Sequence, residues 1–170
     1  FLIATEKIKD ERFEKTVILM LDHNKKGALG VVINKPLGKI SLGSLISKTE
    51  DKSINKKELY KIKIPIYWGG PVDDNKIIIL HTKDYKNKST KEYGTLSTSN
   101  NLETLVAIAE KKGPKKSLVM LGLAAWNTGQ LDGEIELERW TLSESSMDLI
   151  FDAEDKKKWQ KAIKSSFIRL

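Results

Sequence analysis

Residues 16–34 read TVILMLDHNKKGALGVVIN, two short apolar runs, Thr16 to Asp22 and Ala28 to Asn34, parted by HNKKG. Branching at Cβ stiffens Val and Ile and favours extended backbone, while Asn and Gly supply the reversal, so the stretch predicts a buried hairpin. Working outward, Ile64 to Trp68 and Lys76 to Leu80 read as strands joined through GGPVDDN in a second hairpin-like unit. Thr95 to Thr98, Ser117 to Leu121 and Met147 to Phe151 read as further strands. Four helices complete the pattern. Ser41 caps SLGSLISK, where Leu42, Leu45 and Ile46 share a face. Asn100, with Glu103 three residues on, opens a helix carrying Leu102, Leu105, Val106 and Ala109 and stopped by Gly113-Pro114. Asn127 precedes GQLDGEIELER, which turns Leu131 and Ile135 inward, and its side chain is placed to accept from the Gln130 amide. Asp152 caps a last helix in which Trp159, Ile163 and Phe167 recur every fourth residue. Thr49 to Lys57 reads as an exposed loop and Tyr85 to Lys91 as a lysine-rich one. Hairpins first and strand–helix alternation later predict an α/β (α+β) fold, a mixed sheet with helices against it, rather than an all-parallel one.

The 170 residues suit one domain, expected over 1–170, and 39% apolar with 31% charged residues excludes disordered and collagen-like classes. With no cysteine, disulfide frameworks, Cys-ligated zinc and thiol catalysis are excluded. No apolar stretch approaches the roughly 20 residues of a membrane-spanning helix. The chain opens on Phe1, so its native start is expected upstream, and a cytoplasmic address and a monomeric state are expected. Thirty basic residues exceed twenty-three acidic ones by seven, yet only Arg12, Arg139 and Arg169 are arginine, leaving twenty-seven lysines. Base and phosphate recognition usually recruits arginine's fork, so the excess reads first as codon bias toward Lys, Ile and Asn. The charge is also segregated: residues 1–90 carry eighteen bases and eleven acids, residues 91–170 twelve of each. The lysines between Lys48 and Lys91 justify at most a weak, salt-sensitive contact with nucleic acid, since that segment has no arginine and few aromatics.

Two features carry chemistry. His23 follows VILML-Asp22 and His81 follows KIIIL, each at the end of a predicted strand, where ligands commonly bind. Imidazoles converging with Asp22 or Glu134 would supply an acid–base pair or a metal site; the plainer expectation is an Nδ1 donating to a nearby carbonyl. No metal-binding spacing is present, and no metal or cofactor is expected. Gly69-Gly70-Pro71 reads as a turn rather than a phosphate loop, lacking the P-loop ending. In AAWNTGQLDGEIELERW, Gln130 and Glu134 lie four apart on one helix face between Trp126 and Trp140. Either this is a binding surface or the tryptophans are core and the polar pair satisfies neighbouring groups.

Four stretches together resemble the YqgE/AlgH family of bacterial proteins: FLIAT with TVILMLDHNKKGALGVVINKPL, PIYWGGPVDDNKIIILHT, GPKKSLVMLGLAAWNTGQLDGEIELERW, and MDLIFDAEDKKKW. The residues matching the family's signature are His23, Asn34, Pro36, Gly69, Gly70, Pro71, His81, Gly122, Trp126, Gly129, Gln130, Glu134 and Trp140. Leu123, Ala125 and Asp132 stand where an aromatic residue, Gly or Ser, and Glu are usual. The resemblance implies a bent, bifurcated sheet closing into a pseudo-barrel with flanking helices. It implies no substrate or cofactor; one branch is named for an influence on alginate synthesis and read as a transcriptional regulator, and members are often encoded beside a Holliday-junction resolvase. The expected function is a non-enzymatic binding or regulatory protein, its partner a protein or a small ligand, with His23, His81, Trp126, Gln130 and Glu134 lining one pocket. The alternatives are an enzyme or metal-dependent hydrolase using His23, His81 and Glu134, and a weak nucleic-acid binder.

Overall fold

The computed structural model describes residues 1–46 and 56–166, so most of the predicted loop from Thr49 to Lys57 and Phe167 of the last helix lie outside the described residues. Contacts group the chain into two compact units: Phe1–Lys35, Trp68–Val72 and Leu123–Leu170 form unit 1, Pro36–Tyr67 and Asp73–Gly122 unit 2. Its elements are α/β, and every strand register described below is antiparallel.

In unit 1 the predicted hairpin is present as β2 (Val17–Asn24) and β3 (Gly27–Val32), paired from Ile18↔Val32 to Asn24↔Gly27 across a two-residue turn. Two strands that the sequence pattern does not show flank it: β1 (Leu2–Ala4) pairs with β2, and β10 (Trp140–Leu142) with β1. On the other side β3 pairs with the Ala124–Asn127 end of β9 (Ser117–Asn127), a strand longer than the predicted Ser117 to Leu121. Gly27, at φ +140, lets the strands meet: a Cβ there would stand 2.3 Å from the Trp126 carbonyl oxygen. Helix α4 (Gln130–Glu136) follows, and α5 (Met147–Phe151) and α6 (Asp155–Lys164) end the unit. Leu2, Ala4, Ile18, Val32, Ala124, Trp126, Leu131 and Trp140 form its core.

Unit 2 contains β4 (Pro36–Ser41), α1 (Leu42–Ile46), the short α2 (Lys56–Leu59), β5 (Lys63–Trp68), most of β6 (Val72–Thr82), β7 (Lys91–Tyr93), β8 (Leu96–Ser99), α3 (Leu102–Ala109) and the start of β9. Strand β6 lies between β9 and β8, with β7 beyond β8, while β5 lies against β4 and β9. Ser41 caps α1 as predicted, its Oγ accepting from the Ser44 amide at 3.1 Å, and Leu42, Leu45 and Ile46 are fully buried. They pack with Leu59, Ile64, Ile79, Leu102, Leu105 and Val119.

Several predicted details are corrected. The runs around Gly69-Gly70-Pro71 are not hairpin partners: β5 pairs with β4, which the polar, proline-led PLGKIS concealed, and β6 pairs with β8. Met147 to Phe151 is a helix, not a strand; Ser146 Oγ accepts from the Leu149 amide, and adjacent Leu149 and Ile150 are both buried, which strand alternation does not allow when one face is wet. The cap of α3 is Asn101, one residue beyond Asn100, accepting from the Thr104 amide at 3.2 Å, and this shifts Glu103 out of the reciprocal position. At α6 the capping residue is Glu154, not Asp152, which instead closes α5. The α6 face turned fully inward carries Lys158 and Ala162, one residue round from Trp159 and Ile163, which are half-buried.

Candidate functional site

Strand β9 and helix α4 meet at Gly129, which adopts φ +73 and so reverses the chain within two residues of Asn127. The reversal folds Gln130 and Glu134 back over Trp126. Trp126 Nε1 donates to Glu134 Oε2 at 3.0 Å, Trp140 Nε1 donates to the same oxygen at 2.7 Å, and Gln130 Nε2 donates to Oε1 at 3.1 Å. One carboxylate therefore accepts from three side-chain donors. The two indoles stand edge to face, centroids 6.0 Å apart, and Phe13 meets Trp140 in the same manner at 5.7 Å. Gln130 completes the link, its Oε1 accepting from the Asn127 amide at 3.1 Å. This reverses the predicted direction, in which the Asn127 side chain was to accept from Gln130, because left-handed Gly129 rather than Asn127 precedes the helix.

The cluster forms one wall of a cleft of about 300 Å³ within unit 1, completed by Phe13, Pro71, Ala124 and the charged Lys9, Asp10, Arg12 and Arg139. Asp10 and Arg12 hold each other in a two-point contact, Nε to Oδ1 at 3.0 Å and Nη2 to Oδ2 at 2.7 Å. The guanidinium's hydrogen bond keeps the Asp10 carboxyl below the ordinary aspartate range. Sequence reasoning missed Lys9, Arg12 and Arg139 as members of this site. The available signal was arginine's rarity: two of three arginines line one cleft in a chain with twenty-seven lysines.

Among the five residues predicted to share a pocket, Trp126, Gln130 and Glu134 come together. His23, on β2, is exposed and its Nε2 lies 3.2 Å from Asp132 Oδ1 on α4. His81 lies in unit 2 with no exposed surface. Its Nδ1 donates to the Thr82 carbonyl at 2.8 Å, the plainer arrangement expected from sequence, and this sets the tautomer in which Nε2 accepts from Ser99 Oγ at 2.8 Å. Ser99 Oγ meets Thr90 Oγ1 at 3.1 Å, and Thr90 meets Asn87, which ties the lysine-rich loop to β8. Serine, base and orienting carbonyl thus stand in order, but Ser99 is only 2% exposed and a substrate has no approach to it. Among the described residues, no three His, Asp or Glu side chains are grouped to hold a metal ion.

Among the other signature residues, Asn34, Gly69 and Gly70 hold backbone in place. Asn34 bridges two segments, Oδ1 accepting from the Val17 amide and Nδ2 donating to the Lys15 carbonyl, both at 2.8 Å. At Gly70, φ is +148 and a Cβ would stand 2.1 Å from the Leu123 carbonyl carbon, so only glycine fits; Gly69 accepts from the Val32 amide at 2.9 Å. Gly122 adopts φ +77 within β9. Among the lysines of residues 48–91, Lys61 pairs with Glu58, Lys76 with Asp73, and Lys83 and Lys86 with Glu92, whose carboxyl they hold below its ordinary range. Pairing of this kind lowers the positive field that a phosphate backbone would meet. No helix among the described residues is long and apolar enough to cross a membrane.

Comparison with known proteins agrees over the whole chain. It is 37% identical over 153 residues to a UPF0301 protein of Rickettsia prowazekii, covering 89% of this chain and 78% of that one. It is 36% identical over 171 residues to a UPF0301 protein of Methylococcus capsulatus, covering 100% and 91%. The solution structure of the AlgH protein from Pseudomonas aeruginosa superposes with a TM-score of 0.81 at 33% identity, over 96% of this chain and 85% of that one, so the fold expected from the resemblance is met. A crystal structure of a Corynebacterium diphtheriae protein shares the fold at 20% identity, TM-score 0.68, over 96% and 83%. The family profile DUF179, AlgH-like, matches residues 1–170, and the chain belongs to that family.

Proposed function

We propose that this chain is a non-enzymatic, cytoplasmic binding protein with a regulatory role, and that the unit 1 cleft is its ligand site. The observation that carries this reading is the state of Glu134. Glu134 commits three of its about four lone-pair sites to both indoles and Gln130, and so works as a clamp that fixes the cleft wall. A preformed concave site with aromatic walls and a few fixed polar groups is the usual form of a small-molecule site. The regulatory part of the reading draws its support from the family resemblance.

The test is a thermal-denaturation screen of the full chain against small metabolites, followed by assay of each stabilising compound for chemical turnover. A ligand present at about 100 times its Kd stabilises by about 2.7 kcal/mol, enough to shift Tm by a few degrees. Stabilisers are expected that act on the wild type, act less on Trp126→Phe and Glu134→Gln, and are recovered unchanged. Turnover of the compound, or equal stabilisation of the cleft variants, overturns the proposal.

A further inference from the structure

The charges around the unit 1 cleft do not cancel. Five ionisable side chains line it: Lys9, Asp10, Arg12, Glu134 and Arg139. Asp10 and Arg12 neutralise one another through their two-point contact. Glu134 keeps its charge but is turned into the wall by three neutral donors, so the lining sums to one net positive charge. Lys9 and Arg139 remain, and neither side chain has a hydrogen bond or an ion pair among the described residues.

Arg139 is also held by its backbone. Its N–H donates to the Glu134 carbonyl at 3.0 Å, and its own carbonyl accepts from the Thr5 amide at 3.0 Å. The preceding residue, Glu138, sits at φ +56, and Thr5 Oγ1 donates to its carbonyl at 2.6 Å. A fixed main chain with an uncommitted guanidinium is the arrangement that leaves five donors for an incoming oxyanion, and guanidinium geometry suits two-point contact with carboxylate or phosphate.

We propose that the cleft takes a small organic anion, a phosphate monoester or a carboxylate, whose oxygens are met by Arg139 and Lys9 and whose apolar body lies against Phe13 and Pro71. The cleft's volume of about 300 Å³ suits a molecule of that size. This inference rests on the cleft being the ligand site and adds the chemical class.

It is tested by titrating the ¹⁵N-labelled chain with phenyl phosphate, with benzoate and with uncharged benzyl alcohol. At least one anion is expected to move the indole signals of Trp126 and Trp140 and the Arg139 Nε–H signal. The Trp159 indole, which donates to the Ala4 carbonyl, is expected to stay in place. The tighter of the two anions identifies the headgroup as phosphate or carboxylate. Arg139→Gln and the exposed Lys9→Gln are each expected to weaken that anion about tenfold, the worth of one charge-assisted hydrogen bond, with Arg139→Lys falling between. Benzyl alcohol binding at the same signals as tightly as either anion overturns the anion assignment and leaves the cleft as a ligand site. Failure of both anions to move these signals, or unchanged affinity in folded Lys9→Gln and Arg139→Gln, also overturns it; the metabolite screen judges the cleft separately.

Discussion

Each unit holds a polar centre against apolar packing, and the two are built from opposite materials. Unit 1 uses charge: the Glu134 carboxylate under two indoles, and Lys158, 1% exposed, whose Nζ donates to the Ile33 and Ile150 carbonyls at 3.0 and 2.9 Å and pairs with Asp155 at 2.9 Å. Unit 2 uses a series of ring, hydroxyl and amide groups: His81, Ser99, Thr90 and Asn87. A hydroxyl can turn to a new acceptor when its partner changes, whereas a buried ion that loses its partner keeps its full desolvation cost. Unit 1 is therefore the more easily damaged, and its Glu134 carboxylate lies in the wall of the candidate cleft.

Lys158→Met gives the largest expected effect. The methionine retains the buried stem but leaves two buried carbonyls without their donor, and urea denaturation is expected to show a loss of about 3 kcal/mol. Glu134→Leu comes next. Two indole donors lose their acceptor, and a loss of about 2 kcal/mol is expected by the same measurement, together with a shift in tryptophan emission. In unit 2, Ser99→Ala removes one donor from a chain that can partly rearrange, at an expected cost of about 1 kcal/mol. The smallest change is expected for Asp132→Asn, because its pair with His23 is solvent-exposed on both sides, and stability should hold within about 0.5 kcal/mol. Equal losses for Lys158→Met and Ser99→Ala would break the contrast between the units.

What the residues disclosed in advance follows from range. The β2–β3 hairpin and the α1 cap are local, with their apolar runs, turn and capping hydroxyl all inside one short window. Strands β1 and β10 are three residues each and pair with one another over more than 130 positions, β1 pairing also with β2, so no local pattern announces them. Met147 to Phe151 is too short for a helical period to show, and Ser146 decides the matter through a single capping bond. The α6 repeat of Trp159, Ile163 and Phe167 drew attention to the large apolar residues, whereas a lysine met by two carbonyls and a carboxylate occupies the innermost position. At the site, Trp126, Gln130 and Glu134 were legible because helical spacing and one tight turn bring them together. Lys9, Arg12 and Arg139 were not, since a basic residue in a lysine-rich chain carries little information until its cleft is seen. The two histidines, alike in sequence, differ in the structure because β2 presents His23 to solvent while β6 buries His81 against β8.

The claim on which the rest depends is that Glu134 is the shared acceptor shaping the cleft. The indole region of a ¹⁵N–¹H spectrum tests it most directly, recorded on the wild type and on Glu134→Gln without ligand. The expected result is that the Trp126 and Trp140 signals both move upfield as a charged acceptor becomes neutral, while those of Trp68 and Trp159 stay. Unmoved Trp126 and Trp140 signals in a folded Glu134→Gln would show that the carboxylate is free, and would contradict the clamp.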